Sequence, residues 1–349
     1  MPNYTLSEFG CVSSFAASTT YKMVSEEPTP TSIRDERAYS AIQQLGSFSS
    51  HQPTCTLPLT SAERLSSSSE DKSILYLAYG SNLSAETFRG KRGIRPLSSV
   101  NVHVPCLTLT FDLAGIAYLE PCFANTAYRI PPPGQAPFPQ DPKYRKNRWQ
   151  KGLVGVLYEV TPSDYRTIIA TEGGGSSYQD IVVPCFPLAA GLEKTPEEPE
   201  SQPVLAHTLM CPRDGDRLVR PDPGYAQPSH RYLKLITDGA EEHGLPSDYM
   251  AYLSEIRGFT ITMWRQKVGR ALFLGMWLPW IISVMGPGRL LADKEGKVPE
   301  WYARIMGLVF EVMWRSYDFG FKRIWGDGER TVGEVEDEEI GKKGEIWLP

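Results

Sequence analysis

The spacing of apolar positions changes along the chain. From Ile74 to Tyr79 they run unbroken, Ile-Leu-Tyr-Leu-Ala-Tyr, and stop at Gly80-Ser81-Asn82-Leu83. A short run of strand formers ended by glycine predicts a buried strand and a tight turn. Ser84 is placed to cap a helix beginning at Ala85. Further strand-like runs occupy residues 102–104, 107–111, 152–160, 181–186 and 204–210. The spacing predicts a helix over 163–171, with Thr161 or Ser163 at its cap and Pro162 near its start. From Arg231 the period lengthens: Tyr232, Leu233, Leu235 and Ile236, then Tyr249, Met250, Leu253 and Ile256, recur three and four apart. Gly244-Leu245-Pro246-Ser247 divides that stretch into two helices. Few strands, crossing connections and terminal helices predict an α+β fold rather than a doubly wound sheet.

Residues 1–72 are rich in Ser, Thr and Pro and poor in apolar positions, which predicts a disordered leader. Residues 73–257 carry the α+β pattern. Two Pro-rich stretches, 130–142 and 193–202, read as loops inserted into it. Residues 258–326 form an apolar helical extension. Between Arg270 and Arg289 runs an uncharged segment, 271–288, broken by Pro279 and ended by Gly286-Pro287-Gly288. A bilayer span needs about 20 apolar residues, and an internal proline weakens it. The aromatic stretch 301–325 carries Glu311, Arg315, Asp318, Lys322 and Arg323, an interfacial composition. Membrane association through 264–325 and a helical hairpin packed on the preceding domain are both open. An acidic tail, 327–349, closes the chain.

Composition narrows the classes. A net charge of −5 without a basic block speaks against nucleic acid as a partner. Six cysteines lack C-x-x-C spacing and five histidines form no metal-ligand pattern, so reduced thiols and no metal are expected. The first residues have no basic-then-apolar pattern of a secretory signal, and a cytoplasmic protein is expected. Gly173–Ser177 lacks the lysine of a phosphate loop, and no G-x-S-x-G is present.

The chemistry centres on Glu172. It ends an apolar helix and precedes Gly173-Gly174-Gly175, so its carboxylate can face a pocket without a wall of side chains. A solvated helix-end acid is the plainer alternative. Tyr79-Gly80-Ser81-Asn82-Leu83 after a hydrophobic strand resembles the signature of the gamma-glutamylcyclotransferase family. Gly155–Val160, leading through a helix to Glu172-Gly173, resembles the family's strand, helix and catalytic Glu-Gly. Pro228–Tyr232 and Gly239–Tyr249 resemble its closing helices.

The resemblance covers residues 74–257. It implies a small mixed sheet or open barrel flanked by helices, with Glu172 as general acid and base. It also implies substrate binding by Tyr76, Leu77, Ala78, Tyr79, Gly80, Ser81, Asn82 and Tyr232. The implied reaction needs no cofactor: the α-amino group of a γ-glutamyl amide attacks its own γ-carbonyl and releases 5-oxoproline. Similar enzymes occur in glutathione turnover and in fungal biosynthesis of glutathione-derived metabolites. The triple glycine after Glu172, and His207 or Thr208 where relatives can carry tyrosine, depart from the pattern on the leaving-group side. The alternative is a non-catalytic relative that binds a γ-glutamyl ligand, with the C-terminal region as an interaction or membrane module. Oligomeric state is left open.

Overall fold

The computed structural model describes residues 57–66, 73–130, 148–172, 178–211, 220, 226–293 and 297–332. Seven strands appear in it: β1 (Ile74–Ala78), β2 (Ser98–Val104), β3 (Leu107–Ile116), β4 (Glu120–Tyr128), β5 (Leu153–Val160), β6 (Gln179–Pro187) and β7 (Val204–Met210). Five of them form a barrel in the order β1-β5-β2-β6-β7. The small mixed sheet or open barrel that was expected is here closed, because β7 returns parallel to β1 with Tyr76 opposite His207. Closure removes the exposed edges that a five-stranded sheet would otherwise present. β1 and β5 are mostly Val, Ile, Leu and Tyr, and both of their faces are buried.

β3 and β4 form a separate two-stranded sheet. β4 has no counterpart among the predicted strands. Its sequence, Glu-Pro-Cys-Phe-Ala-Asn-Thr-Ala-Tyr, is poor in strand formers, and pairing with β3 overrides local preference.

The helices are α1 (Ala62–Ser66), α2 (Pro162–Thr171), α3 (His230–Glu242), α4 (Ser247–Glu255), α5 (Trp264–Met285), α6 (Gly288–Leu291), α7 (Glu300–Ser316) and α8 (Lys322–Trp325). Thr161 caps α2 by accepting from the Asp164 N–H at 3.1 Å, and Ser229 caps α3 through the Tyr232 N–H at 3.0 Å. After β1 the chain makes a 3₁₀ turn, Ser81–Leu83, and then a π-helical turn, Glu86–Lys91, instead of an α-helix capped by the Ser84 side chain. The Ser84 carbonyl still accepts from the N–H groups of Thr87 and Phe88.

Both ends of the predicted catalytic domain need correction. Within the stretch expected to be a disordered leader, residues 57–66 pack on the barrel. Leu59 bridges to Ser99, the Thr60 and Ser98 hydroxyls lie 2.9 Å apart, and Arg64 meets Glu159 at 3.3 Å. The tail likewise begins inside the fold. Glu329 is 2% exposed and takes Arg220 on both oxygens, at 2.8 and 2.9 Å, while Arg220 also lies over the Trp314 ring. Thr331 is tied to Gln227, and the Tyr118 N–H donates to the Gly328 carbonyl. Residues 131–142 of the first expected loop, and the acidic run 334–339, lie outside the described residues. The second loop is irregular as expected but anchored, with the Thr195 N–H and hydroxyl donating to Asp248.

α5 and α7 pack on each other and reach the barrel unit through aromatic contacts. Phe273 sits edge-on to Tyr118, Tyr317 and Phe321, and the Trp277 indole donates to Ser316 at 3.0 Å. Among the described residues α5 is the one helix long and apolar enough to cross a membrane, with 17% of its most apolar window buried.

Candidate active site

Side chains alternate along β1, so Tyr76 and Leu77 face opposite ways. The Tyr76 ring stacks on Phe88 and tilts against Tyr165, with centroids 6.1 Å apart in each case. The strand then runs into the 3₁₀ turn, which carries Asn82 back toward it. The Asn82 amide donates to the Tyr76 hydroxyl at 2.9 Å and to Glu172 Oε1 at 3.0 Å. Glu172 caps the C-terminus of α2, with its own N–H bonded to the Ile168 carbonyl, so the helix fixes where the carboxylate begins.

Arg92 completes the group. Its side chain is 1% exposed, donates to Glu172 Oε1 at 2.5 Å and also bonds the Thr171 hydroxyl. Removing one partner of such a buried pair costs about 3–5 kcal/mol, because the other charge is left uncompensated. Arg92 and Glu172 are therefore a unit, and both bonds fall on Oε1. Among the described residues no hydrogen bond reaches Glu172 Oε2, and none reaches the buried Asn82 Oδ1. The site thus presents one carboxylate oxygen and one amide oxygen as ready acceptors. Burial, with the Glu172 charge adding to it, holds the Tyr76 hydroxyl above the ordinary phenol range, so it stays protonated.

Gly80 sits with φ −109°, so the turn does not demand a left-handed residue there. Space is what it supplies: a Cβ would lie 3.3 Å from Ala124 Cβ and 3.4 Å from the Tyr232 hydroxyl. β4, unforeseen from sequence, brings Ala124 to this point. The Ala124 N–H donates to Tyr232 Oη at 3.2 Å, and Tyr178 donates to the Ala124 carbonyl at 3.1 Å. On the other side α3 presses onto the turn at Gly239, where a Cβ would come within 2.4 Å of the Leu83 carbonyl carbon.

Of the expected substrate-binding residues, Tyr76 and Asn82 meet Glu172, while Gly80 and Tyr232 meet each other across Ala124. Ser81 is buried in the turn. Tyr79 is turned away, its hydroxyl donating to the Leu209 carbonyl at 2.5 Å. Leu77 and Ala78 are buried in the barrel wall, and neither they nor Tyr76, Tyr79, Gly80, Ser81, Asn82 or Tyr232 are among the residues lining the cleft at Glu172. Of the two positions where relatives can carry tyrosine, Thr208 is structural, its hydroxyl donating to the Leu77 carbonyl at 2.9 Å. His207 faces the cleft side, 3.0 Å from Asp180 and edge-on to Tyr165. Gly173–Ser177 lie outside the described residues.

Arg92 was missed. It lies in Arg89-Gly90-Lys91-Arg92, a cationic cluster that reads as solvent-facing, and nothing local marks it as buried. Among the described residues no cluster of His, Cys, Asp and Glu could hold a metal. Among the described residues Cys106, Cys122, Cys185 and Cys211 form no disulfide.

The profile of the AIG2-like family matches residues 153–253, and that of the AclK C-terminal domain matches residues 262–324. The gamma-glutamyl cyclotransferase aclK of Aspergillus oryzae is 34% identical over 272 residues, covering 74% of this chain and 91% of that protein. The gamma-glutamyl cyclotransferase gliK of Aspergillus fumigatus is 31% identical over 264 residues, covering 73% of this chain and 89% of its own. A solved structure titled gamma-glutamyl cyclotransferase is 21% identical, covers 55% of this chain and 92% of its own, and superposes with a TM-score of 0.38.

Proposed function

The chain belongs to the gamma-glutamyl cyclotransferase family, and on that basis we propose that it cyclises a γ-glutamyl amide, releasing 5-oxoproline and the amine or peptide behind it. The observation that carries this is the Glu172 carboxylate, pinned through Oε1 by Asn82 and Arg92 with Oε2 open. Substrate folding supplies the nucleophile, so the protein's task is positioning and proton movement. The α-ammonium sits between Glu172 Oε2 and Asn82 Oδ1. Glu172 takes its proton, and the freed nitrogen attacks the γ-carbonyl carbon. The new C–N bond closes a five-membered ring and places negative charge on the former carbonyl oxygen. Glu172 then returns that proton to the leaving nitrogen as the old C–N bond breaks, and carries the ring nitrogen's second proton to the departing amine, so the lactam nitrogen keeps one hydrogen and the amine leaves protonated. Gly80, Ser81 and Asn82 hold the α-carboxylate, and the protonated Tyr76 hydroxyl is a donor at hand for the developing oxyanion. No oxidant, metal or cofactor enters the balance.

The substrate is a γ-glutamyl peptide such as glutathione, a γ-glutamyl amino acid or a glutathione-derived metabolite. Incubating the full chain with a panel of γ-glutamyl compounds and measuring 5-oxoproline tests the reading. Release from at least one is expected. Tight binding across the panel without release would favour a non-catalytic γ-glutamyl-binding protein instead.

We further infer that the C-terminal helices rest on an anionic membrane surface, as a reversible hold for a cytoplasmic protein. The exposed side of α5 carries Trp264, Val268, Leu272, Met276 and Ile282, and that of α7 carries Trp301, Ile305, Leu308 and Val312. Tryptophans on exposed apolar strips suit the headgroup boundary. Residues 258–326 hold ten Lys and Arg against five Asp and Glu, net +5 in a chain of −5, so this region opposes the charge of the rest. Because Gly269, Phe273 and Ile281 are packed inward, α5 lies along the surface rather than crossing it. Flotation with phosphatidylserine-containing vesicles is expected and should weaken in high salt. A protein that stays behind and instead forms a concentration-dependent dimer would assign these faces to a second copy.

A further inference from the structure

β3 hands over to β4 at Ala117-Tyr118-Leu119, and Tyr118 sits there with φ 63°. Among the described residues it is the one non-glycine residue in the left-handed region. A bulky side chain is unfavourable in that region, so its surroundings have to enforce it. Those surroundings belong to the C-terminal helices. The Tyr118 ring stands edge-on to Phe273 of α5 and to Tyr317 of the 317–321 turn, with centroids 5.8 and 5.6 Å away. Its hydroxyl donates to the Gly326 carbonyl at 2.7 Å, and its N–H to the Gly328 carbonyl at 2.8 Å. Gly328 lies against the ring, where a Cβ would come within 2.8 Å of it. The hairpin tip is thus gripped by α5, the turn and the tail, with Tyr118 1% exposed.

The same hairpin carries the substrate side of the site. β4 begins at Glu120, a buried carboxylate whose Oε1 accepts from the Ser229 N–H at 3.1 Å and whose Oε2 accepts from Arg231 at 2.6 Å. Ser229 caps α3, and Tyr232 lies in the first turn of that helix. Further along β4 the register shifts between the pairs Thr110–Asn125 and Leu113–Phe123, which leaves Ala124 opposite a bulge in β3. A bulge releases backbone groups from the ladder and re-aims them. The Ala124 N–H accordingly goes to the Tyr232 hydroxyl at 3.2 Å, while its methyl group faces Gly80. Tyr118, Glu120 and Ala124 therefore join the C-terminal helices, the start of α3 and the Gly80 turn through one short strand.

We propose that Tyr118 is a positioning residue through which the C-terminal helices hold the substrate-binding turn. Gripping the hairpin tip fixes β4, and β4 fixes Tyr232 and the space at Gly80. That the turn holds substrate rests on the cyclotransferase reading; the mechanical link does not. Glu172 is placed separately, by α2 and Arg92, so Tyr118 acts on binding geometry and leaves the proton transfers alone.

The test compares the full chain with Tyr118→Asn and Tyr118→Phe. Asparagine accepts the left-handed region but offers no ring to grip, and phenylalanine loses only the bond to Gly326. Hydrogen exchange followed by mass spectrometry reads the link without any ligand. Tyr118→Asn should speed exchange about tenfold in segments 120–125 and 229–233 and leave β5 at the parent rate, because a local opening does not reach the barrel. Tyr118→Phe should give a smaller rise in the same two segments, and it decides the matter where the asparagine variant does not fold. Parent rates throughout would overturn the proposal. So would an equal rise in both segments and β5, which marks general destabilisation. Kinetics with glutathione give the second readout. Fewer folded molecules lower kcat at constant KM, whereas a displaced binding turn raises KM, by about tenfold for Tyr118→Asn with kcat within about twofold. A fall in kcat alone would also overturn the positioning role. Should the parent release no 5-oxoproline from any γ-glutamyl compound, the cyclotransferase reading fails, and exchange still decides the link between the helices and the turn.

Discussion

A methyl group on residue 80 would sit 3.3 Å from Ala124 Cβ, tight enough that β4 or the turn must give by a few tenths of an ångström. Gly80→Val adds two further carbons and must push Tyr232 or Ala124 aside. Displacements near 1 Å at a site of this kind cost up to about 10²-fold, so kcat/KM should fall roughly 10–100-fold, with KM raised because the turn also holds the ground state. Steady-state kinetics on a folded Gly80→Val protein check this, and unchanged constants would move the binding site away from the turn. Glu172 and Asn82 are singled out through the resemblance of their flanking motifs to the family's, because a helix-end acid and a turn amide carry no mark of their own. Arg92 is not, since its burial depends on α2 and Thr171, 79 residues further on.

The elements show where local pattern suffices. β1, β5, β7 and α2 were legible because both their composition and their boundaries agree with their final state. β4 was not, being held by cross-strand partners rather than by its own residues. The segment 57–66 is similar: its sequence is polar, yet Leu57 and Leu65 pack on the core and Arg64 reaches Glu159 and the Ser73 carbonyl. Burial opposes ionisation of Glu159, but hydrogen bonds from Ser73 and Ser98 and the Arg64 charge hold it below the usual carboxylate range. Deleting residues 1–71 should therefore destabilise the fold by about 1–3 kcal/mol relative to deleting residues 1–56. Denaturant unfolding of the two truncations measures the difference. Equal midpoints would show the segment to be dispensable.

At the scale of the whole molecule, α3 joins the active-site turn to the barrel, and His243 at its end records how tightly. Burial, with Arg89 adding to it, pushes His243 down to about 4. The unfolded chain, with histidine near its ordinary value of about 6.5, binds a proton that the folded chain refuses. The contribution is therefore complete above about pH 6.5 and is lost as pH falls toward 4, by roughly 1–3 kcal/mol. Asp327, pushed up to about 6 by burial, works the other way, its stabilisation shrinking as pH rises toward 6. The comparison that isolates His243 is thus the parent against His243→Gln, whose stability should fall less between pH 6.5 and 4. Parallel pH profiles would contradict the assignment. The C-terminal helices were visible in the sequence as apolar runs. Which faces they expose was not, because α8 and the 317–321 turn cover one side of α5 only in the folded chain.

Release of 5-oxoproline by Glu172→Gln tests the central claim most directly. Glutamine keeps the reach toward Asn82 but cannot accept the α-ammonium proton. General acid–base catalysis contributes about 10²–10⁴-fold, so kcat should fall by at least that order, and binding weakens as well because the α-ammonium and Arg92 both lose their carboxylate. A folded Glu172→Gln protein that turns over a γ-glutamyl peptide at the parent rate would contradict the account.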